Sequence, residues 1–161
     1  KFQYREHAMS VASRSGHTAS LYKSTILITG GRSDKLYELH LVSSTSVAAP
    51  PNTMMHQLET LAADLTNLTK LPGGRKNHSA VVLGDYVLVF GGETFDGRSK
   101  EPVSEAFLVD CKSSFAWKSI GKLNIGRAGH ACIYTDAGVI LHGGSGEHNK
   151  ACNQTYKLNI V

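Results

Sequence analysis

The chain has 161 residues, 41% hydrophobic and 19% charged, with a formal net charge of +4. That is the length of one ordinary domain with room for a sizeable core, and the unbiased composition is that of a soluble globular protein. No apolar run is long enough for a transmembrane helix, and Lys1 to Ser10 lacks the apolar centre of a secretory signal. The positive charge is spread along the chain with no dense basic run. It fits an ordinary solvated surface, with at most a weak preference for acidic partners.

In chain order, Lys1 to Glu6 reads as a strand carrying Tyr4. Arg14-Ser-Gly-His17 then leads into two short apolar runs, Thr18 to Tyr22 and Thr25 to Thr29, and these end at Gly30-Gly31. Leu36 to Leu41 reads as a third strand. Ser43 to Asn67 is a long stretch containing the loop-like Val47-Ala-Ala-Pro-Pro-Asn. Leucines at 58, 61, 65 and 68 fit a short amphipathic helix over 56–70, and a loop followed by an irregular strand near Leu65 is the preferred alternative.

The second unit starts at Arg75-Lys-Asn-His78. Ser79 to Leu83 and Tyr86 to Phe90 flank Gly84-Asp85, a strong hairpin signal, and the run ends at Gly91-Gly92. Glu105 to Val109 and Phe115 to Ser119 read as third and fourth strands. The third unit repeats the pattern from Arg127-Ala-Gly-His130 through Ala131 to Tyr134 and Val139 to His142, ending at Gly143-Gly144, with Gln154 to Ile160 as its third strand. These runs are too short for helices and rich in β-branched residues.

Self-similarity of this kind outranks any local signal. In all three units Arg precedes His by three positions, and His precedes the first glycine by thirteen. Successive histidines lie 61 and 52 residues apart, so only loops vary. Trp117 stands ten residues before Arg127, and the same offset reaches Tyr4 before Arg14 and Leu65 before Arg75. Each unit therefore reads as a four-stranded antiparallel meander.

The pattern resembles the Kelch repeat over nearly the whole chain. Its carriers are Arg14, His17, Gly30, Gly31, Arg75, His78, Gly91, Gly92, Arg127, His130, Gly143 and Gly144, with Tyr37 and Tyr156 in third strands and Trp117 in a fourth. The resemblance implies an all-β protein made of β-propeller blades. The expected blades are 14–71 (with a long insertion at 43–67), 75–121, and 127–161 completed by strand 1–6. Three blades fall short of the usual four to eight. Either the rest of a larger propeller lies elsewhere in the same gene product, or another copy supplies it. The first strands bring small side chains (Thr18, Ala19, Ser20; Ser79, Ala80; Ala131, Cys132), as convergence on an axis requires.

No catalytic constellation is found. The repeat histidines have no metal-ligand spacing and are read as structural, satisfying backbone groups near the channel. Gly143-Gly-Ser-Gly146 lacks the Lys-Ser/Thr of a phosphate loop, and Ser145 sits in no nucleophile elbow. No metal or other cofactor is expected. Cys111, Cys132 and Cys152 are odd in number and show no Cys-x-x-Cys spacing. This argues against a disulfide framework and for a reducing compartment, the cytoplasm first and the nucleus second.

Function then falls to the loops. Those between second and third strands should share one face with those leading into first strands. Arg32, Asp34, Lys35, Phe95, Asp96, Arg98, Lys100, His148 and Lys150 are the partner-binding candidates. Arginine offers forked hydrogen bonds to acidic groups, and Phe95 offers an apolar anchor. Arg14, Arg75 and Arg127 recur in every unit and are read as braces at the joints between blades. The resemblance implies a protein-binding scaffold; no membrane partner is expected, and nucleic acid is disfavoured as a partner. The alternative it implies is the propeller part of a multidomain enzyme, such as a carboxyl-methyltransferase-like protein of tRNA wybutosine modification.

Overall fold

A computed structural model describes residues 14–23, 25–33, 38–43, 64–94, 102–113 and 115–159. These residues are strands and turns, apart from one 3-10 turn over Glu147–Asn149.

Three antiparallel sheets follow one another along the chain. The first contains β2 (Thr18–Tyr22), β3 (Thr25–Thr29), β5 (Glu38–Ser43) and β6 (Asp64–Lys70), in that order. The second contains β8 (Ser79–Leu83), β9 (Tyr86–Phe90), β11 (Glu105–Asp110) and β12 (Trp117–Lys122), likewise in order. The third contains β13 (Ala131–Thr135), β14 (Gly138–His142) and β15 (Thr155–Leu158). A short ladder joins the lead-in of each of the first two sheets to the segment after its second strand: β1 (Arg14–Ser15) with β4 (Arg32–Ser33), and β7 (Arg75–Lys76) with β10 (Glu93–Thr94). The inner strands β2, β8 and β13 lie side by side, so the sheets stand as neighbouring blades.

The continuous apolar run of β9 explains how blades stack. Alternate residues of a strand point to opposite faces. Val87 and Val89 join Tyr22, Leu27 and Leu71 of blade 1, together with Val109 and Cys111 of their own sheet. Leu88 and Phe90 join Val139 and Leu141 of blade 3, with Val81, Ala106 and Leu123. The middle blade is thus apolar on both faces, and the core lies in the joints. Trp117 packs on the cluster shared with blade 1 and meets Phe107 edge to face at 6.5 Å.

The third strand of blade 1 is seen over Glu38–Ser43, and Tyr37 lies outside the described residues. Phe107 pairs with Val89 and Tyr156 with Leu141, each two positions before the glycine pair. The equivalent Ile28 pairs with His40, so His40 holds that register position in blade 1. Residues 64–70 form a strand, the preferred of the two readings of this stretch, and 44–63 lie outside the described residues, as do 1–6.

Candidate binding face

The Arg-x-x-His segment and the glycine pair meet at one end of each blade. Arg14 Nη1 donates to the Gly30 carbonyl at 2.9 Å, Arg75 Nη1 to Gly91 at 3.0 Å and Arg127 Nη1 to Gly143 at 2.9 Å. Arg75 also donates through Nη2 to Pro72 O at 3.1 Å. Arg75 lies 4.8 Å above the Phe107 ring, and Arg127 4.7 Å above Tyr156. Both guanidinium groups are buried, Arg127 completely. A planar cation is suited to stacking and to bonding a carbonyl at once. Each guanidinium is thereby held against the glycine carbonyl of its own blade.

The histidines join blades. His78 Nε2 pairs with Thr18 Oγ1 of blade 1 at 2.9 Å, and His130 Nε2 with Ser79 Oγ of blade 2 at 2.7 Å. The hydrogen-bonding partner is a hydroxyl one residue after the previous blade's histidine. Burial pushes the His78 imidazole down to about 3, aided by the Arg75 charge, and His130 down to about 4, aided by Arg127. Both rings are neutral at pH 7, which suits neither acid–base chemistry at that pH nor anion binding. Burial likewise pushes the Cys111 and Cys132 thiols up to about 11, which removes nucleophilic thiolate. Among the described residues no cluster of three His, Cys, Asp or Glu is placed to share a metal ion, and no helix is long and apolar enough to cross a membrane.

A main-chain collar runs across the same end. Asn77 N–H donates to Gly16 O, and Gly129 N–H donates to Asn77 O, both at 2.7 Å. All three residues are left-handed, with φ of 70°, 54° and 65°. Arg14 faces Ser33 and Ser15 faces Arg32; Lys76 faces Glu93; Ala128 bridges Ser145. Each lead-in segment is thereby tied to the loop that leaves its own glycine pair, so both loop sets occupy one face. Lys76 and Glu93 form an ion pair there at 3.2 Å, with both side chains largely buried.

Between blades 2 and 3 this face opens into a groove of about 710 Å³. Pro102 to Glu105, Asn124 to Gly126 and parts of 146–154 line it, including Ile125 and Lys150. Lys150 follows the 3-10 turn, in which His148 and Asn149 adopt left-handed φ of 56° and 57° and stand exposed.

Of the candidate partner-binding residues, His148 and Lys150 are seen on this face, and Arg32 is placed through the β1–β4 ladder. Asp34, Lys35, Phe95, Asp96, Arg98 and Lys100 lie outside the described residues. Sequence reasoning missed the groove, because 102–105 and 124–126 carry no motif. It also missed the hydroxyl partners Thr18 and Ser79, whose only signal is a small polar residue after each of the first two histidines.

No protein-family model matches the chain. Kelch domain-containing protein 9 of Homo sapiens is 28% identical over 165 residues, 93% of this chain and 47% of that protein. An F-box/kelch-repeat protein of Arabidopsis thaliana is 30% identical over 98 residues, 55% of this chain and 20% of that protein. The solved structure of YjhT superposes with a TM-score of 0.73 at 14% identity, over 95% of this chain and 44% of that one. In sequence and in fold the chain is thus similar to Kelch-repeat proteins. Three such repeat units are seen among the described residues, and the chain spans just under half the length of the human relative and of YjhT. Within the repeat motif, the histidine rings and the bonds from Gly31 and Gly92 to the arginine carbonyls cross the joints, whereas the arginine side chains bond within their own blade, which corrects the reading of them as braces between blades.

Proposed function

We propose that this Kelch chain is a non-catalytic protein-binding scaffold whose partner sits on the loop face, reached through Arg32, Arg98, Lys150 and the groove beside Lys150. The observation that carries the reading is the placement of both loop sets on one face by the main-chain ladders, with a wide groove between two blades. The recurrent arginines and histidines are engaged inside the fold, which leaves recognition to the loop residues that do not recur. A net charge of +4 favours an acidic segment as the partner. The names of the relatives, Kelch domain-containing and F-box/kelch-repeat, support a scaffold over the propeller part of a tRNA-modifying enzyme. Three free cysteines fit a reducing compartment such as the cytoplasm.

The test is selection of displayed peptides on the wild-type chain, followed by titration of the best peptide. An acidic consensus is expected, with affinity falling about tenfold or more in the Arg32→Ala/Arg98→Ala/Lys150→Ala variant. Undiminished binding by a folded triple variant refutes this face.

A further inference from the structure

Main-chain bonds hold both walls of the groove between blades 2 and 3. On one side Leu123 N–H donates to Ser104 O at 2.7 Å, and Arg127 N–H to Val103 O at 3.2 Å. Gly126 lies so close to this wall that a Cβ there would stand 2.5 Å from Pro102 O. On the blade 3 side Gly146 N–H donates to Lys150 O at 2.9 Å, Lys150 N–H to Glu147 O at 3.1 Å and Cys152 N–H to Gly144 O at 2.8 Å. Walls fixed in this way lose little freedom when a ligand enters.

Ile125 supplies an apolar contact at the seam. The lead-in to blade 2 reads Leu71-Pro-Gly-Gly-Arg75 and the lead-in to blade 3 reads Leu123-Asn-Ile-Gly-Arg127, so Ile125 stands where the earlier one has Gly73. Leu71 and Leu123 are both buried, whereas Ile125 is 40% exposed. Its Cγ2 lies 3.7 Å from the Cβ position of Gly146, where the two walls meet. Pro102 and Val103 extend the apolar lining.

The charged side chains in the lining are Glu105 from blade 2, and Glu147 and Lys150 from blade 3: two carboxylates against one ammonium. Glu105 meets Lys122 at 3.9 Å in an exposed pair, which holds it only weakly. Arg75, whose charge Glu105 also faces, is engaged with Gly91 O and Pro72 O. Glu147 and Lys150 are exposed and make no ion pair among the described residues. The chain carries +4 overall, yet the groove lining is negative by one charge. A carboxylate entering between Glu105 and Glu147 meets like charge. A cationic side chain meets opposite charge and can lay its apolar stem on Ile125.

We propose that the groove takes one basic side chain, arginine or lysine, from a partner segment that is otherwise acidic. Its stem rests on Ile125 and its cationic head is bound by Glu105 and Glu147, while the acidic residue beside it pairs with Lys150. Arginine is favoured over lysine, because its planar fork can serve two carboxylates at once. The assignment rests on the loop face being the partner surface, and it adds the residue that selects one acidic segment over another. A segment acidic at every position is disfavoured, since its central residue would face Glu105 and Glu147 unpaired.

Displayed peptides of Asp and Glu with one randomised central position test this on the wild-type chain. Arginine or lysine is expected at that position. The arginine peptide is then titrated by fluorescence anisotropy beside its citrulline twin, which keeps the shape and removes the charge. Against the wild-type chain the twin should bind about fivefold or more weakly. Against the Glu105→Gln/Glu147→Gln variant the two peptides should bind within about twofold of each other. Far-ultraviolet circular dichroism confirms that the variant is folded. A central position with no basic preference, or a citrulline penalty that persists undiminished in the double variant, overturns the proposal. If the Arg32→Ala/Arg98→Ala/Lys150→Ala variant loses binding even so, the loop face stands and only the groove assignment falls. Capture of no peptide at all refutes both.

Discussion

Acid should pull the blades apart through two histidines. His78 and His130 sit in successive joints with pKa values of about 3 and about 4, against an ordinary value of 6.5. A histidine whose folded pKa is depressed is neutral in the fold, while the unfolded chain takes up its proton first. Stability is therefore full above pH 6.5 and declines as pH falls, until the folded pKa is reached. Between pH 7 and 5.5 each histidine costs about 1.2 kcal/mol, and the pair about 2.5 kcal/mol. By pH 4.5 the loss is about 5 kcal/mol, comparable with the whole stability of a small domain. Urea unfolding at half-unit pH steps measures it. Asp85 and Asp110 are held below the ordinary carboxylate range by hydrogen bonds, from Tyr22 and Lys23 for Asp85 and from Lys112 and Ser113 for Asp110. Their contribution is lost only in stronger acid and leaves the window from 7 to 5.5 clear. His78→Gln and His130→Gln should each remove about half of the drop, and the double variant nearly all of it. A stability that stays flat to pH 5.5, or a drop that persists in the double variant, would refute this account of the joints.

Two further substitutions test the packing. Gly91→Ala places a methyl group 2.5 Å from Arg127 O and should cost about 3 kcal/mol or more, while Gly84→Ala, with a similar positive φ and open space, should cost about 1 kcal/mol in the same urea assay. Arg127→Lys keeps the charge but loses the stacking over Tyr156 and the fixed bond to Gly143 O. A loss of about 2 kcal/mol is expected in the urea midpoint, and a change below about 0.5 kcal/mol would show that the stack contributes little.

The repeat made the blades legible because hairpins are local: His, two short strands and a glycine pair are spaced by covalent geometry. The third strand was harder. The chain between the glycine pair and that strand differs in length in each unit, running from Gly31 to Glu38, from Gly92 to Glu105 and from Gly144 to Thr155. In blade 1 pairing register puts His40 opposite Ile28, the position that Phe107 and Tyr156 hold in the other blades, and Tyr37 lies outside the described residues. The helix considered over 56–70 rested on leucine spacing, but antiparallel pairing of Leu41 to Ser43 with Asp64 to Thr66 prevails over that local preference. The groove near Lys150 was invisible because it arises where two blades diverge, from residues with no shared pattern. The histidine–hydroxyl pairs join residues 60 and 51 positions apart, and no local window holds both partners.

The bonds linking Gly16, Asn77 and Gly129 use only peptide groups. Such a hoop asks nothing of side-chain chemistry beyond one residue per blade that tolerates a left-handed bend. Side-chain substitutions in the neighbouring loops leave its bonds untouched. Length changes are absorbed outside the hoop as well, in the spans between each glycine pair and its third strand. The scaffold thus separates what must be kept from what is free to vary by assigning the first to main chain and the second to side chains.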